Sequence, residues 1–393
     1  MSNARPIEVS EASLDALDHI DHGHIRDALG RIDGAPEDAA GRLWRAELLV
    51  YLDRNDAAAA DVDALAEALD PYLADATPRG ALARRRQLLA AEVAYFRGQY
   101  DEATRLVDAV AVASESAGDE QHALRSAYDS GRVLRRRGEY ATSLETLLVA
   151  SHIARRLENA FYGGLIGYNR AICCYELGDY DRLGTYLNEA RELLDATEKL
   201  RFFGLCENLR GLVLTETGSV DAGLAVLADA ERIARSLGLH SDLLSIASNA
   251  ARASIGTGRF ADAESHLLQL VDTASPERLT MAEYYPLCLL AVAQCMRGGV
   301  RESRRSAQLA LGVAEAAGSE DDRFEARLLV LRARGLQGEE DALEGLRSLL
   351  NEADHHGTQY QRAQARIYLA HALIAESPVE ATTLCREARA IGM

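Results

Sequence analysis

GQYDEA from Gly98, GEYATS from Gly138, GDYDRL from Gly178, GSVDAG from Gly218, GRFADA from Gly258, GGVRES from Gly298 and GEEDAL from Gly338 are copies of one phrase, 40 residues apart every time. Each reads glycine, any residue, a third position that is usually apolar, two more, then a small residue in most copies. A weaker copy, SPVEAT, starts at Ser377, and upstream the period loosens, with NDAAAA at Asn55 and GHIRDA at Gly23. A fixed period of this length is the signature of stacked structural units rather than of one closed core.

Two more positions keep the same phase. Seven residues before the glycine stand Ala91, Gly131, Ala171, Gly211, Ala251 and Ala291; twelve after it stand Val110, Ala150, Ala190, Ala230, Leu270 and Ala310. Small residues at fixed places let two helix backbones approach, with larger side chains filling the adjacent groove. The glycine predicts a left-handed cap ending the first helix of a pair, and the residue two later docks back onto that pair. The copy at Gly338 departs from this pattern, with Leu331 and Leu350 at the small positions.

Composition agrees. Alanine, leucine, arginine and glutamate dominate and there are only 7 prolines in 393 residues, which favours helix nearly throughout. The predicted organisation is N-terminal helix pairs over 1–72, an irregular linker over 73–80 marked by Asp70-Pro71 and Thr77-Pro78, and a regular array over 81–393. The repeat count predicts about ten pairs.

The pattern resembles the tetratricopeptide repeat, whose consensus places a small residue, then Gly-Asp-Tyr, then alanines at these spacings. Gly178-Asp179-Tyr180 with Ala171 and Ala190 is the best copy, and Trp44 and Tyr51 stand where the consensus tryptophan and tyrosine fall relative to Asn55. The unit of 40 residues resembles the long repeats of bacterial signal-responsive regulators and kinesin light chains. The resemblance implies an all-α, right-handed superhelical solenoid whose concave groove holds a partner.

It also implies that the first helix of each pair faces the groove. That places Arg85, Glu92 and Tyr95 inward, then Arg125, Tyr128, Arg132, Arg135 and Arg136, then Tyr168, Ile172 and Tyr175. Asn208, Glu216, Arg252, Tyr285, Cys288, Arg332 and Tyr368 follow. Asn169 and Asn249 stand two residues before the packing alanines, where asparagines of peptide-sensing relatives hold an extended backbone. The arginine–tyrosine stripe is unusual in a chain of net charge −18. Arginine offers a planar fork for carboxylates and tyrosine offers apolar area with a polar tip. The expected partner is a protein or peptide, through an acidic or C-terminal segment. The alternative for these arginines is pairing with acidic neighbours or complementing a helix terminus.

The acidic balance argues against nucleic acid and anionic membrane as partners. The N-terminus has no apolar signal region, and the six cysteines form no CxxC pair, which points to the cytoplasm. No nucleophile elbow, phosphate loop or HExxH is present, so no enzyme and no cofactor are expected. His19, His22 and His24 are too few for a structural metal site, which takes four ligands. The last predicted helix, Val379 to Ile391, lacks a polar cap. This suggests either the sensory part of a larger bacterial regulator or an end that packs in a homodimer.

Overall fold

A computed structural model describes residues 38–51, 54–195, 200–273 and 279–391. Among them are nineteen α-helices and no strand. Helix α1 (Ala39–Tyr51) and α2 (Asn55–Asp63) form a first pair, followed by a short α3 (Ala66–Leu69) and a 3-10 turn (Asp70–Tyr72). Eight pairs follow in regular order: α4 (Pro78–Phe96) and α5 (Tyr100–Ala117), α6 (Glu120–Arg136) and α7 (Tyr140–Arg156), α8 (Ala160–Glu176) and α9 (Tyr180–Asp195), α10 (Leu200–Glu216) and α11 (Val220–Ser236). Then come α12 (His240–Gly256) and α13 (Phe260–Leu268), α14 (Met281–Met296) and α15 (Val300–Ala317), α16 (Glu320–Leu336) and α17 (Glu340–His356), α18 (Gln359–Leu373) and α19 (Pro378–Ile391). That makes nine pairs among the described residues; the Gly23 copy and the three early histidines lie outside them.

All seven repeat glycines have positive φ, from 71° at Gly178 to 93° at Gly218. Each closes the same turn. The N–H of the following residue reaches the carbonyl five residues back, as in Gln99 to Ala94 (2.9 Å), Asp179 to Cys174 (2.8 Å) and Arg259 to Ser254 (2.8 Å). This satisfies carbonyls left open at the helix end, and the second helix begins two residues after the glycine. A second series of turns, midway between these, joins one pair to the next. Gly118, Gly238 and Gly318 hold positive φ there, and in one repeat the place is taken by Glu158 at φ 52°, the only non-glycine in that region among the described residues. Asp119, Asn159 and Ser319 then cap the next helix through their side chains.

The in-phase small residues lie at the helix crossings. A Cβ on Gly131 would meet Leu147 side-chain carbons at 2.6 Å, and one on Gly211 would meet Leu227 Cγ at 2.6 Å. Ser143 and Ser303 reinforce two crossings by donating to the carbonyls of Gly131 and Ala291, 2.7 Å each. The divergent copy is accommodated by exchange: Leu331 faces Gly345, where an added Cβ would lie 3.0 Å from Leu331 Cδ2.

One boundary differs from the sequence reading. Residues 78–80 are not linker but the first turn of α4, with Thr77 accepting from Gly80 N at 3.2 Å and Pro78 in the opening turn. Proline at that position has no N–H to lose, so Thr77-Pro78 starts a helix instead of breaking one. A Cβ on Gly80 would stand 2.0 Å from the Asp75 carbonyl oxygen, so the tight return needs glycine.

The chain divides into two compact units, residues 1–210 with 232–239, and 211–231 with 240–393. In the first, Leu43, Trp44, Leu48, Val62, Leu82 and Leu89 form one apolar core. The start of α10 returns to the end of α1. The Arg201 N–H reaches the Tyr51 hydroxyl at 3.3 Å, its guanidinium bonds the Tyr51 carbonyl, and Phe202 packs edge-on against Tyr51 at 5.8 Å. In the second unit the core runs through Leu287, Leu290, Ala307, Leu328, Leu346 and Leu369.

Replacing Gly131 by valine should lower unfolding stability by about 2–3 kcal/mol through overpacking against Leu147. Glu158→Gly should raise it by about 1 kcal/mol by releasing a left-handed side-chain residue. Urea unfolding followed by circular dichroism measures both; equal midpoints for the two variants and the parent chain would contradict the assignment.

Candidate functional site

The inward stripe of the first unit is one connected polar network built on α1, α4, α6 and α8. Glu47 of α1 sits between two arginines, taking Arg85 Nη2 at 2.6 Å and Nε at 2.9 Å on one oxygen and Arg125 on the other. Glu92 of α4 lies 3.6 Å from Arg125 Nη2 and accepts from Arg132 Nη1 at 3.1 Å. Asp129, one turn before Arg132 on α6, accepts from the same nitrogen at 3.1 Å. Arg132 also lies over the Tyr95 ring, 4.5 Å from its centre.

Register explains this arrangement. Residues one repeat apart occupy equivalent places on neighbouring first helices, so Glu92 and Arg132, 40 apart, meet directly. Arg85 and Arg125 are likewise equivalent, and both converge on Glu47. They are buried, so their charges are stable only because the carboxylates neutralise them.

Two cations exceed that balance. Arg135 Nε donates to Asn169 Oδ1 at 3.1 Å and its Nη2 to the Tyr95 hydroxyl at 3.2 Å; Arg136 Nε donates to the same hydroxyl at 2.9 Å. These acceptors are neutral. Burial raises the Tyr95 pKa, but Arg132, Arg135 and Arg136 more than offset it and hold the phenol below its usual range. Asp129 moves the other way. Burial is the chief cause and nearby Glu92 adds to it, against the pull of Arg132 and Arg125, so its carboxyl is raised above the usual range.

The sequence-selected residues thus sort into groups. Arg85, Tyr95, Arg125, Tyr128, Arg132, Arg136 and Asn169 are joined in this network. Several of them are interior, however, and this corrects the expectation that the whole stripe faces an open groove. Asn169, 2% exposed, already donates to the Leu165 carbonyl at 2.9 Å while accepting from Arg135. Tyr168 and Tyr175 are half-buried on α8, and Asn208 is buried on α10. Asn249 and Arg252 belong to the second unit, where Arg252 Nη2 meets Glu216 Oε1 at 2.7 Å. The sequence reading missed Glu47, Asp129 and the Phe161–Phe202 contact at 5.6 Å between ring centres. Glu47 lies outside the regular period, so only its contacts reveal it.

The second unit carries a different cluster of titratable side chains. Tyr285 on α14, Glu325 on α16 and Tyr360 and Tyr368 on α18 influence one another electrostatically. Burial, with Asp322 and Asp321 nearby, pushes the Glu325 carboxyl up to about 7. The Gln364 amide bridges the Tyr360 and Tyr368 hydroxyls at 3.4 Å each. Cys288 and Cys295 are buried thiols, and burial pushes Cys288 up to about 12. Among the described residues no group of three or more His, Cys, Asp or Glu side chains is placed to hold a metal ion, and no helix is long and apolar enough to cross a membrane.

Glu47→Gln should destabilise the protein by about 3 kcal/mol, because it leaves Arg85 and Arg125 buried with a neutral partner. Glu102→Gln, which breaks an exposed pair with Arg105, should change stability by under about 0.5 kcal/mol. Paired urea titrations compare them. For Glu325 the folded pKa, about 7, stands above the unfolded value of about 4.3. The folded state keeps a proton that the unfolded chain releases between these values, so this contribution is present at low pH and lost as pH rises through about 7. The Tm advantage of Glu325→Gln over the parent should therefore grow from about pH 5 to about pH 8.5. A constant difference would contradict it.

No family model and no curated protein matches the chain. Solved structures do. A Rap protein complexed with Competence and Sporulation Factor superposes with TM-score 0.63 at 15% identity, over 90% of this chain and 97% of that one. The apo quorum sensor NprR from B. thuringiensis gives 0.62 at 17% identity, over 90% and 98%. With its cognate peptide NprX bound, NprR gives 0.53 at 18% identity, over 94% and 99%. Aspartyl phosphate phosphatase F from Bacillus subtilis gives 0.59 at 12% identity, over 100% and 97%. The chain therefore has the tetratricopeptide-type helical-repeat fold of these bacterial regulators.

Proposed function

We propose that the chain is a non-catalytic peptide-binding scaffold, a sensor that recognises an acidic peptide segment at the inner wall of its first unit. The observation that carries this reading is the charge imbalance at Arg135 and Arg136. Arg85, Arg125 and Arg132 have carboxylate partners; among the described residues these two guanidiniums bond an amide oxygen and a phenol hydroxyl. A carboxylate arriving there gains charge-assisted hydrogen bonds from donors already held in place. The half-buried Tyr168 and Tyr175 on the adjacent first helix offer aromatic area for the peptide's apolar side chains.

The fold shared with NprR, solved with its cognate peptide, supports the same reading. Six free cysteines, five of them buried, suit a reducing cytoplasm. The last pair adds a self-association surface to the proposal: Ile367, Ile374 and Val379 stand exposed on and beside α18 and α19. Light scattering tests this, and a monomer at all concentrations would remove it.

The peptide reading is tested with two pooled hexapeptide libraries, one rich in Asp and Glu and one rich in Lys and Arg, offered to the immobilised full chain. The acidic pool should be retained and the basic pool washed out. The double variant Arg135→Gln/Arg136→Gln should retain the acidic pool about tenfold less, from the loss of one or two charged hydrogen bonds, with Tm unchanged. Equal retention of both pools, or no effect of the double variant, would overturn the assignment. Hydrolysis of an aspartyl phosphate by the purified chain would replace the scaffold reading with the activity in the name of the Bacillus subtilis relative.

A further inference from the structure

Arg332 on α16 is a buried cation with no counter-charge among the described residues. Only 3% of it is exposed, and its Nε and Nη2 are buried with no hydrogen-bond partner. The contact the structure gives its guanidinium is the Tyr368 ring on α18, 4.8 Å from Cζ to the ring centre. His371, on the same helix as Tyr368, is held below its usual pKa by burial and by this arginine, whose positive charge disfavours a second cation beside it.

The repeat register sharpens the anomaly. Arg332 is equivalent to Arg132, five repeats earlier. Arg132 is neutralised by Glu92 and Asp129. The equivalent places around Arg332 are Val292 and Leu329, both apolar. The arginine has thus been kept while both of its carboxylates are missing. An isolated buried charge is among the costliest groups a fold can contain, so one retained without a partner points to a partner from outside.

We infer that Arg332 is the anchor of a second recognition site, in the second unit, where its guanidinium fork and the Tyr368 ring receive the C-terminal carboxylate of a bound peptide. A carboxylate matches the fork in a bidentate geometry and supplies the charge that Glu92 and Asp129 supply to Arg132. Gln364, whose Oε1 is buried without a partner beside the Tyr368 hydroxyl, provides an acceptor for the peptide's last N–H. This inference rests on the peptide-binding reading but uses none of the residues of the first unit.

The test uses the full chain and two pooled synthetic hexapeptide libraries of identical composition, one ending in a free carboxylate and one amidated. The parent chain should retain peptides from the acid library that are absent from its amidated twin. Arg332→Gln should retain them about ten- to a hundredfold less, the effect of a lost charged hydrogen-bond pair. If retention survives amidation but is lost in Arg332→Gln, with Asp and Glu enriched, the carboxylate anchor stands and its source is a side chain. If Arg332→Gln retains the parent's peptides while Arg135→Gln/Arg136→Gln loses them, the anchor is overturned and the first-unit reading survives. If the parent retains neither library, both fall. Arg332→Met provides a readout free of ligand: removal of an unpaired buried charge should leave Tm equal or higher. A fall as large as that of Glu47→Gln would show the guanidinium to be satisfied within the fold and would overturn the proposal.

Discussion

The close crossing of two helices at a residue with little or no side chain is the constraint on which the rest of this protein depends. A pair of helices cannot bury its apolar stripe unless the backbones approach, and here a leucine from the second helix occupies the space a Cβ would take at Gly131 and Gly211. The divergent copy follows the same rule with the roles reversed, since Leu331 projects toward Gly345. Each crossing repeats at the same height only because each turn is the same turn. A left-handed glycine and a six-residue hydrogen-bonded closure return the chain in one fixed direction every time.

From that geometry follows the electrostatics between neighbouring first helices. Side chains 40 residues apart are brought face to face, so a charge placed in one repeat must be answered in the next. Glu92 answers Arg132, and Arg252 is answered from the preceding repeat by Glu216. The polar network of the first unit is therefore structural, with Glu47, Glu92 and Asp129 holding the buried Arg85 and Arg125 and the half-buried Arg132 in place. Three cations stand outside this pairing: among the described residues no carboxylate is paired with Arg135, Arg136 or Arg332.

A repeat array in which units touch only their neighbours has no long-range closure. The first unit departs from that scheme where Arg201 and Phe202 reach Tyr51 across 150 residues. The contact ties the opening helix α1 to α10 and makes the interior of this unit partly a packed core of Tyr51, Phe161 and Phe202 rather than an open channel.

The seven-fold glycine phrase and the small residues seven before and twelve after it were enough, by sequence alone, to establish helix pairs and their period. Those features are local: a positive φ and a missing Cβ are demands of the backbone at one place, so residue identity reports them directly. The midway turn was harder to read, because Glu158 adopts there the conformation that Gly118 and Gly238 supply more easily. Thr77-Pro78 reads equally well as a break or as a helix start. Which arginines pair with carboxylates inside the fold and which do not was decided only by tertiary structure. Arg132 and Arg332 are the same residue at the same register, and one is neutralised while the other is not. The difference lies in one side chain on the neighbouring first helix, Glu92 against Val292, and one a turn away on the same helix, Asp129 against Leu329, and burial sets the energy of a charge left without them.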